Sequence, residues 1–566
     1  MKALSAIVIA AALSSMAGGQ TVNAITSGGL GYAVPMPVNS LTPVAGFRSQ
    51  SALNSRHMAL ALEKDFITMH TVGTSIRGTN IVAYRFATAG TTTPDGTAKG
   101  AAMLQGTIHP REWISPEVVT AVFERLAVGE DATARFLVDN LEIVILPIAN
   151  PDGFAVTQLF PAQTVGGSAS GGGGADGRMR RKSMLNADDV LSTTGDAFNG
   201  VDLNRNHSFG FGGGSGSTTG ETYRGPSAGS EPESQALYAA AALLNESRLR
   251  FYVDVHSHQQ VYYSITDASA ARSAAVIDAY GIMRSVTIGI SGRIYGNLPT
   301  RVETESIGAT DEYFAGTYRA MSYTLEARPP SGELFNGFIL PDSQVDATRR
   351  ELEPAIAAGL YYSAGPASVR EVLIYDTTDG RSESSPLVFR QARTTQVGGA
   401  TRILVTIANG PLRTTRRYTA VIRFTKPMRE RDTGSGILRA FPGVSTTAAP
   451  GLSLANVANG AAPVFVVDGG GSIFGWDRYG GDTAVADFDL RQSVVPNGVY
   501  TLELSGTDLA GTALDADPRT VADWSVTGWT GWDAGGVDAL TGVPILNDTT
   551  NVGDAWLLLG SALPPR

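Results

Sequence analysis

Cysteine is missing altogether from the 566 residues. That excludes disulfides, thiolate metal centres and cysteine nucleophiles, so stability has to come from core size, bound ions or both. Histidine is scarce, at 6 residues, and any imidazole chemistry must fall on a handful of positions. Positive charge is in deficit, with 43 Lys and Arg against 53 Asp and Glu. The net charge of −10 argues against nucleic acid or an anionic lipid surface as the main partner. Long apolar runs are lacking beyond the N-terminus, and the stretch Trp556 to Leu559 is far too short to span a bilayer.

What is present points to a folded, exported chain. A hydrophobic content of 43% is enough for a large core, and the length suggests roughly two to four domains. Lys2, the apolar run from Ala3 to Leu13 and the small residues Ser15 and Ala17 form the pattern of a secretory signal over residues 1–17. The expected location is therefore secreted or periplasmic. Residues 18–44, rich in Gly, Pro, Ser and Val without periodicity, read as an extended lead-in.

One stretch organises the rest. His109 and Glu112 stand in a His-x-x-Glu pair after the apolar run Ala101 to Leu104 and before a helix start. The expected start has Ser115 as N-cap, Pro116 at the first helical position and Glu117 near the positive helix end. Val118, Val122 and Leu126 then recur at helical spacing. An imidazole and a carboxylate at a strand-to-helix junction can converge on one ion; zinc takes this mixture, and a catalytic site needs a third protein ligand.

The remaining elements follow in order. Met58 to Phe66 reads as a helix, Thr79 to Phe86 as a strand, and Leu141 to Asn150 as a buried strand ending in the turn Asn150-Pro-Asp-Gly153. A Gly/Ser-rich loop at 161–177 leads to the basic run Arg178 to Lys182, which alone would be a solvated face. Val201 to Asn206 is a polar cluster, and Pro232 to Leu244 is expected to be helical. Arg250 to His256 is a second apolar strand whose terminal imidazole supplies the missing ligand, since sites in open α/β sheets form beyond the carboxyl ends of strands. Arg319 to Glu326 reads as another strand, and 343–363 as a closing helix. From about 366 helical patterns give way to short β-type runs separated by Gly, Pro and Asp, expected to form a sandwich.

With these residues in line, positions 45–363 resemble the zinc metallocarboxypeptidases of the pancreatic carboxypeptidase A type. The resemblance is carried by Gly106 to Ile114, Asn150 to Phe154, Arg178 to Lys182, Val201 to Asn206, His256-Ser257 and Thr324-x-Glu326, all in the family's order. It implies an α/β fold with a mixed eight-stranded sheet flanked by helices, followed by a C-terminal all-β sandwich region at 366–566. That distal part loosely resembles bacterial immunoglobulin-like domains around Phe424 to Met428 and Tyr500 to Gly511, with a surface or matrix ligand as a candidate partner. The implied cofactor is one Zn2+ on His109, Glu112 and His256. The implied roles are Glu326 as proton shuttle, Arg181 as oxyanion stabiliser, Asn204 and Arg205 as readers of the substrate carboxylate, and Arg111 and Arg178 along the approach.

The sequence departs from the family in two places. An ungapped count from Glu326 puts Thr304 where a mobile tyrosine is usual, and 296–312 contains no tyrosine. His258 stands on the substrate side where the family often has tyrosine. The same count puts Asp311 on the floor of the pocket for the terminal side chain, an acidic floor suited to C-terminal Lys or Arg, with Glu303 and Glu305 leaning the same way. No counterpart of the animal enzymes' folded inhibitory prodomain is legible. The implied activity is hydrolysis of the C-terminal bond of peptides or proteins. A peptidoglycan peptide hydrolase of the same fold and an inactive peptide-binding or adhesion protein are the alternatives.

Overall fold

The computed structural model describes residues 47–95, 99–129, 132–160, 176–190, 195–244, 248–268, 270–330, 338, 340–365 and much of 367–512, with two three-residue strands upstream. The N-terminal signal pattern and the 161–175 part of the Gly/Ser-rich loop lie outside the described residues. In chain order the first part comprises α1 (Gln50–Glu63), β1 (Ile67–Thr74), β2 (Asn80–Phe86), β3 (Gly100–Gly106), α2 (Ile114–Val128) and α3 (Ala132–Asn140). Then come β4 (Leu141–Leu146), α4 (Pro151–Leu159), α5 (Pro232–Ala241), β5 (Leu249–Gln259), β6 (Val261–Thr266), α6 (Ala270–Ser291), β7 (Gly296–Arg301), α7 (Thr310–Tyr313), β8 (Met321–Pro330) and α8 (Asp342–Ser363).

The eight strands form one mixed sheet in the order β1-β2-β4-β3-β5-β8-β6-β7. Its four central strands, β4, β3, β5 and β8, are mutually parallel. β3 and β4 are buried along their whole length, which is why their sequences carry apolar residues without alternation. α2, α6 and α8 cover one face, packing Val122, Phe123, Met283 and Ile356 against Leu104, Val253 and Tyr323. α5 covers the other with Leu237 and Ala240, helped by Leu203 and by Phe314, which stacks on Tyr252. Because β3, β5 and β8 run the same way, the chain segments leaving their carboxyl ends emerge side by side.

Two local expectations change. The helix after β3 begins at Ile114, with Trp113 in the cap position, and the Ser115 hydroxyl is not the cap. It accepts from the Thr107 amide at 2.8 Å and donates to the Val255 carbonyl, tying the exits of β3 and β5 together. Likewise β8 starts at Met321, because Arg319 lies in the left-handed region at φ 61°. α1 begins earlier than expected, where the Ser49 hydroxyl accepts from the Ala52 amide.

Downstream, β9 (Val369–Asp376), β10 (Leu387–Ala392), β11 (Thr395–Gln396), β12 (Ile403–Ile407), β13 (Arg417–Phe424), β14 (Gly451–Asn456), β15 (Phe465–Val467), β16 (Thr483–Asp489) and β17 (Tyr500–Ser505) are all strands, as the change in texture at 366 suggests. They form a five-stranded sheet, β10-β9-β13-β16-β15, and a four-stranded one, β11-β12-β17-β14. This region is fastened to the first. Phe441, Tyr479, Leu509 and Ala510 belong to the same buried cluster as Phe136 and Tyr361. Buried Lys426 donates to the carbonyls of Tyr361 and Gly365 and to Asp508, with its ammonium 3.8 Å from the centre of the Tyr361 ring. The Tyr479 hydroxyl accepts from Asn140, and Arg478 pairs with Asp95. Among the described residues no helix is long and apolar enough to cross a membrane.

Removing one partner of a buried pair leaves the other charge uncompensated. Lys426→Ala is therefore expected to cost about 3–5 kcal/mol, read as a lowered urea midpoint of the full chain.

Candidate active site

His109 follows β3, Glu112 stands in the turn before α2, and His256 lies near the end of β5. Parallel pairing of β3 with β5 brings these three together although 144 residues separate Glu112 from His256. His109 Nδ1 lies 2.9 Å from Glu112 Oε1 and 3.1 Å from His256 Nδ1, and His256 Nδ1 lies 3.0 Å from Glu112 Oε2. All three side chains are buried, at 1–3% exposure.

The arrangement fits a divalent cation and little else. His109 Nε2 is hydrogen-bonded to Asp202 at 3.2 Å, and His256 Nε2 lies 2.9 Å from Asp254. Carboxylates there favour the Nε2–H tautomer of both rings, which leaves two Nδ1 lone pairs facing one another beside a carboxylate. Arg181 Nη1 approaches the same Nδ1 of His109 at 3.4 Å, in keeping with its role as an acceptor. Such a concentration of lone pairs in a dry site is stable around a positive ion, and two imidazoles with one carboxylate match the ligand set of catalytic zinc. Among the described residues these three are the group placed to hold a metal.

Charges around the centre are split in a useful way. Burial opposes ionisation of Glu112, yet His109 and His256 hold it well below the usual carboxylate range. Burial and the nearby Glu112 push Glu326 up to about 7, against the opposing pull of His256 and Arg181. Glu326 is the register partner of His256 across β8 and β5, so its carboxyl projects on the same side of the sheet. Its Oε2 is buried and makes no hydrogen bond among the described residues. Arg181 Nε donates to Asp202 Oδ2 at 3.0 Å, which fixes the guanidinium beside His109.

The other expected residues divide into two groups. Asn204 and Arg205 sit in a short turn after Asp202, whose carboxylate accepts from the Asn204 amide. Asn204 Oδ1 accepts from the Thr310 amide at 2.9 Å, joining this turn to α7 and to Asp311. Asp311 is buried, and its oxygens accept from Thr324 Oγ1 at 2.8 Å and from the Glu312 amide at 2.9 Å. Burial, then Glu312, pushes it up to about 7. Arg111 donates to Glu221 at 2.8 Å and lies 4.2 Å over Phe338, whose other neighbour is the ring of His258.

Arg178, expected along the approach, is buried. At 1% exposure it stacks 3.6 Å over Trp113 and donates to the carbonyls of Arg111 and Phe338, so it supports Arg111 from behind. Glu303 and Glu305 are exposed, and each carboxylate accepts a hydrogen bond from Arg301. Thr304, where the ungapped count puts the family's tyrosine, is likewise exposed.

Asp202, Asp254, Glu221 and Phe338 went unread in the sequence. Asp254 had a signal, because it stands two residues before His256 on a strand and must share its face. Asp202 lay inside the Val201 to Asn206 cluster, but its reach to His109 is tertiary. Glu221 and Phe338 belong to no pattern.

The zinc carboxypeptidase family profile matches residues 57–355, and the chain belongs to that family. Zinc carboxypeptidase A 1 of Anopheles gambiae is 29% identical over 281 residues, covering 47% of this chain and 59% of that protein. Carboxypeptidase B of Rattus norvegicus is 28% identical over 304 residues, covering 52% and 65%. The solved carboxypeptidase A of Helicoverpa armigera aligns with a TM-score of 0.46 at 23% identity, over 58% of this chain and 76% of that one. The chain thus spans about three fifths of the length of the curated relatives it matches.

Zinc uptake should reach one ion per chain and be lost in His109→Ala. Asp254→Asn should bind zinc about 10–100-fold more weakly, the usual effect of removing a carboxylate behind a ligating histidine; competition with a chromogenic chelator measures it.

Proposed function

We propose that this protein is a secreted or periplasmic zinc-dependent carboxypeptidase that hydrolyses the C-terminal bond of peptides or proteins. The observation that carries this is the convergence of His109, Glu112 and His256 with Glu326 on the same sheet face and Arg181 alongside. Zinc held by His109, Glu112 and His256 would supply Lewis acidity, bringing the pKa of a water down to about 7.

The protein's own groups do the rest. Glu326, held near neutrality by burial and by Glu112, can take a proton from the attacking water and return it to the departing amine. Arg181 is anchored through Nε to Asp202, so the rest of its guanidinium can receive the negative charge that develops on the scissile carbonyl oxygen. Arg205 and Asn204, on the turn next to Asp311, are suited to a terminal carboxylate, and that feature favours trimming from the end over internal cleavage. Arg111, His258 and Phe338 line the approach for the preceding residues.

Asp311 supports a preference for C-terminal Lys or Arg, because its carboxyl is buried beside Thr324, two residues before Glu326. The export assignment rests on the N-terminal pattern of Lys2 and Ala3 to Leu13.

Hydrolysis of N-blocked dipeptides, abolished by chelator, is the direct test. Glu326→Ala should lower kcat by about 10²–10⁴-fold, the usual share of a positioned acid–base group; wild-type turnover that survives both treatments refutes the reading. The pH dependence of specificity follows from Asp311. Its folded pKa is raised, so it is neutral below about 7 and ionises above it. The ratio of kcat/KM for C-terminal Lys over Leu should therefore rise as pH passes upward through about 7. Zinc and Glu326 titrations are shared by both substrates and cancel in that ratio.

A further inference from the structure

β5 and β6 are not neighbours in the sheet: β8, the strand that carries Glu326, lies between them. The chain crosses over the end of β8 at Gln260, which adopts φ 55°, and returns antiparallel as β6. The register then sets Val261 opposite Glu326 and Tyr263 opposite Thr324. Directly opposed residues project to the same face, and Thr324 and Glu326, two apart, share that face. Tyr263 therefore projects to the side of the sheet where the base and the buried Asp311 lie.

The surroundings of the phenol agree. Tyr263 is half-buried, and burial, followed by Glu326 and Asp311, raises its hydroxyl above the ordinary value while Arg205 opposes. Those three groups are thus within electrostatic reach of one ring. Tyr263 Oη donates to Gln259 Oε1 at 2.8 Å, so its lone pairs stay available to a donor. Asp311 already accepts one hydrogen bond on each oxygen, from Thr324 and from the Glu312 amide, and a carboxylate oxygen has capacity for more.

Resting on the carboxypeptidase reading, we propose that Tyr263 is a specificity-determining residue. Its ring walls the pocket for the side chain of the substrate's last residue, and its hydroxyl accepts a hydrogen bond from an ammonium or guanidinium there. Asp311 answers the charge and Tyr263 the direction. A terminal leucine or phenylalanine gains only ring contact, so the hydroxyl separates basic from apolar termini. If Tyr263 were merely a brace for the crossover through Gln259, losing its hydroxyl would affect every substrate alike.

The test uses full-length, zinc-loaded protein, Tyr263→Phe and N-blocked dipeptides ending in Lys, Arg, Leu or Phe. The ratio of kcat/KM for Lys over Leu should fall about tenfold, the scale of one hydrogen bond to a charged group, with the change carried by KM. An unmoved ratio, an equal loss on all four substrates or a change carried by kcat would overturn the assignment. Calorimetric affinities of the same peptides for wild type and Tyr263→Phe answer the question without turnover: selective weakening of the Lys and Arg peptides supports it, and uniform or absent weakening rejects it. Absence of chelator-sensitive hydrolysis by wild type would instead count against the carboxypeptidase reading, whatever the binding data say of Tyr263.

Discussion

Two imidazole lone pairs 3.1 Å apart, with a carboxylate oxygen 3.0 Å from one of them, form the constraint to which the rest of this structure answers. In a dry interior such an assembly needs a shared positive partner, a proton or a metal ion, because Asp202 and Asp254 stand against the outer nitrogens and the two Nδ1 atoms face one another. The fold makes this assembly possible by geometry. Gly106, the last residue of β3, pairs with Val255 of parallel β5 just before His256, and the Ser115 hydroxyl bolts the two segments together. A site drawn from segments so far apart is as rigid as the sheet beneath it.

The electrostatics assign different tasks to two glutamates that composition cannot tell apart. Glu112 sits between the histidines and stays ionised, as a ligand must. Glu326, one strand away, is pushed toward neutrality by burial and by the charge of Glu112 itself. The expected ligand thus helps tune the proposed base. Asp202 links the same logic to Arg181: one oxygen orients His109 and the other fixes the guanidinium, so the metal group and the proposed oxyanion site share a single buried carboxylate.

Much of this was legible before any coordinates. Strands such as Leu141 to Leu146 and Leu249 to Val255 announce a buried sheet through mostly apolar runs interrupted only by Glu142, Arg250 and Asp254, and His256 at a strand end announces a site. A basic run looks solvated when taken alone, whereas the Arg178 guanidinium stacks on Trp113, a contact made across 65 residues and invisible to local patterning. The exposure of Glu303 and Glu305 follows from a turn that local patterning does not show. Ser115 satisfied the local rule for a helix cap, but its hydroxyl was claimed by two neighbouring strands. Tyr263 carried no motif at all; its place is set by the register of an antiparallel return, which depends on what the crossover spans.

The seam between α8 and the distal sheets has a consequence for how such a chain can diversify. Tyr361 lends its carbonyl and ring to Lys426 while its hydroxyl reaches the Pro427 carbonyl, and Asn140 and Asp95 find their partners in Tyr479 and Arg478. Replacing the distal half by recombination would strand an aromatic, an amide and an acid on the hydrolase-like half. Any newcomer would need to arrive with a lysine and a tyrosine already in register, so the two halves are bound to be inherited together.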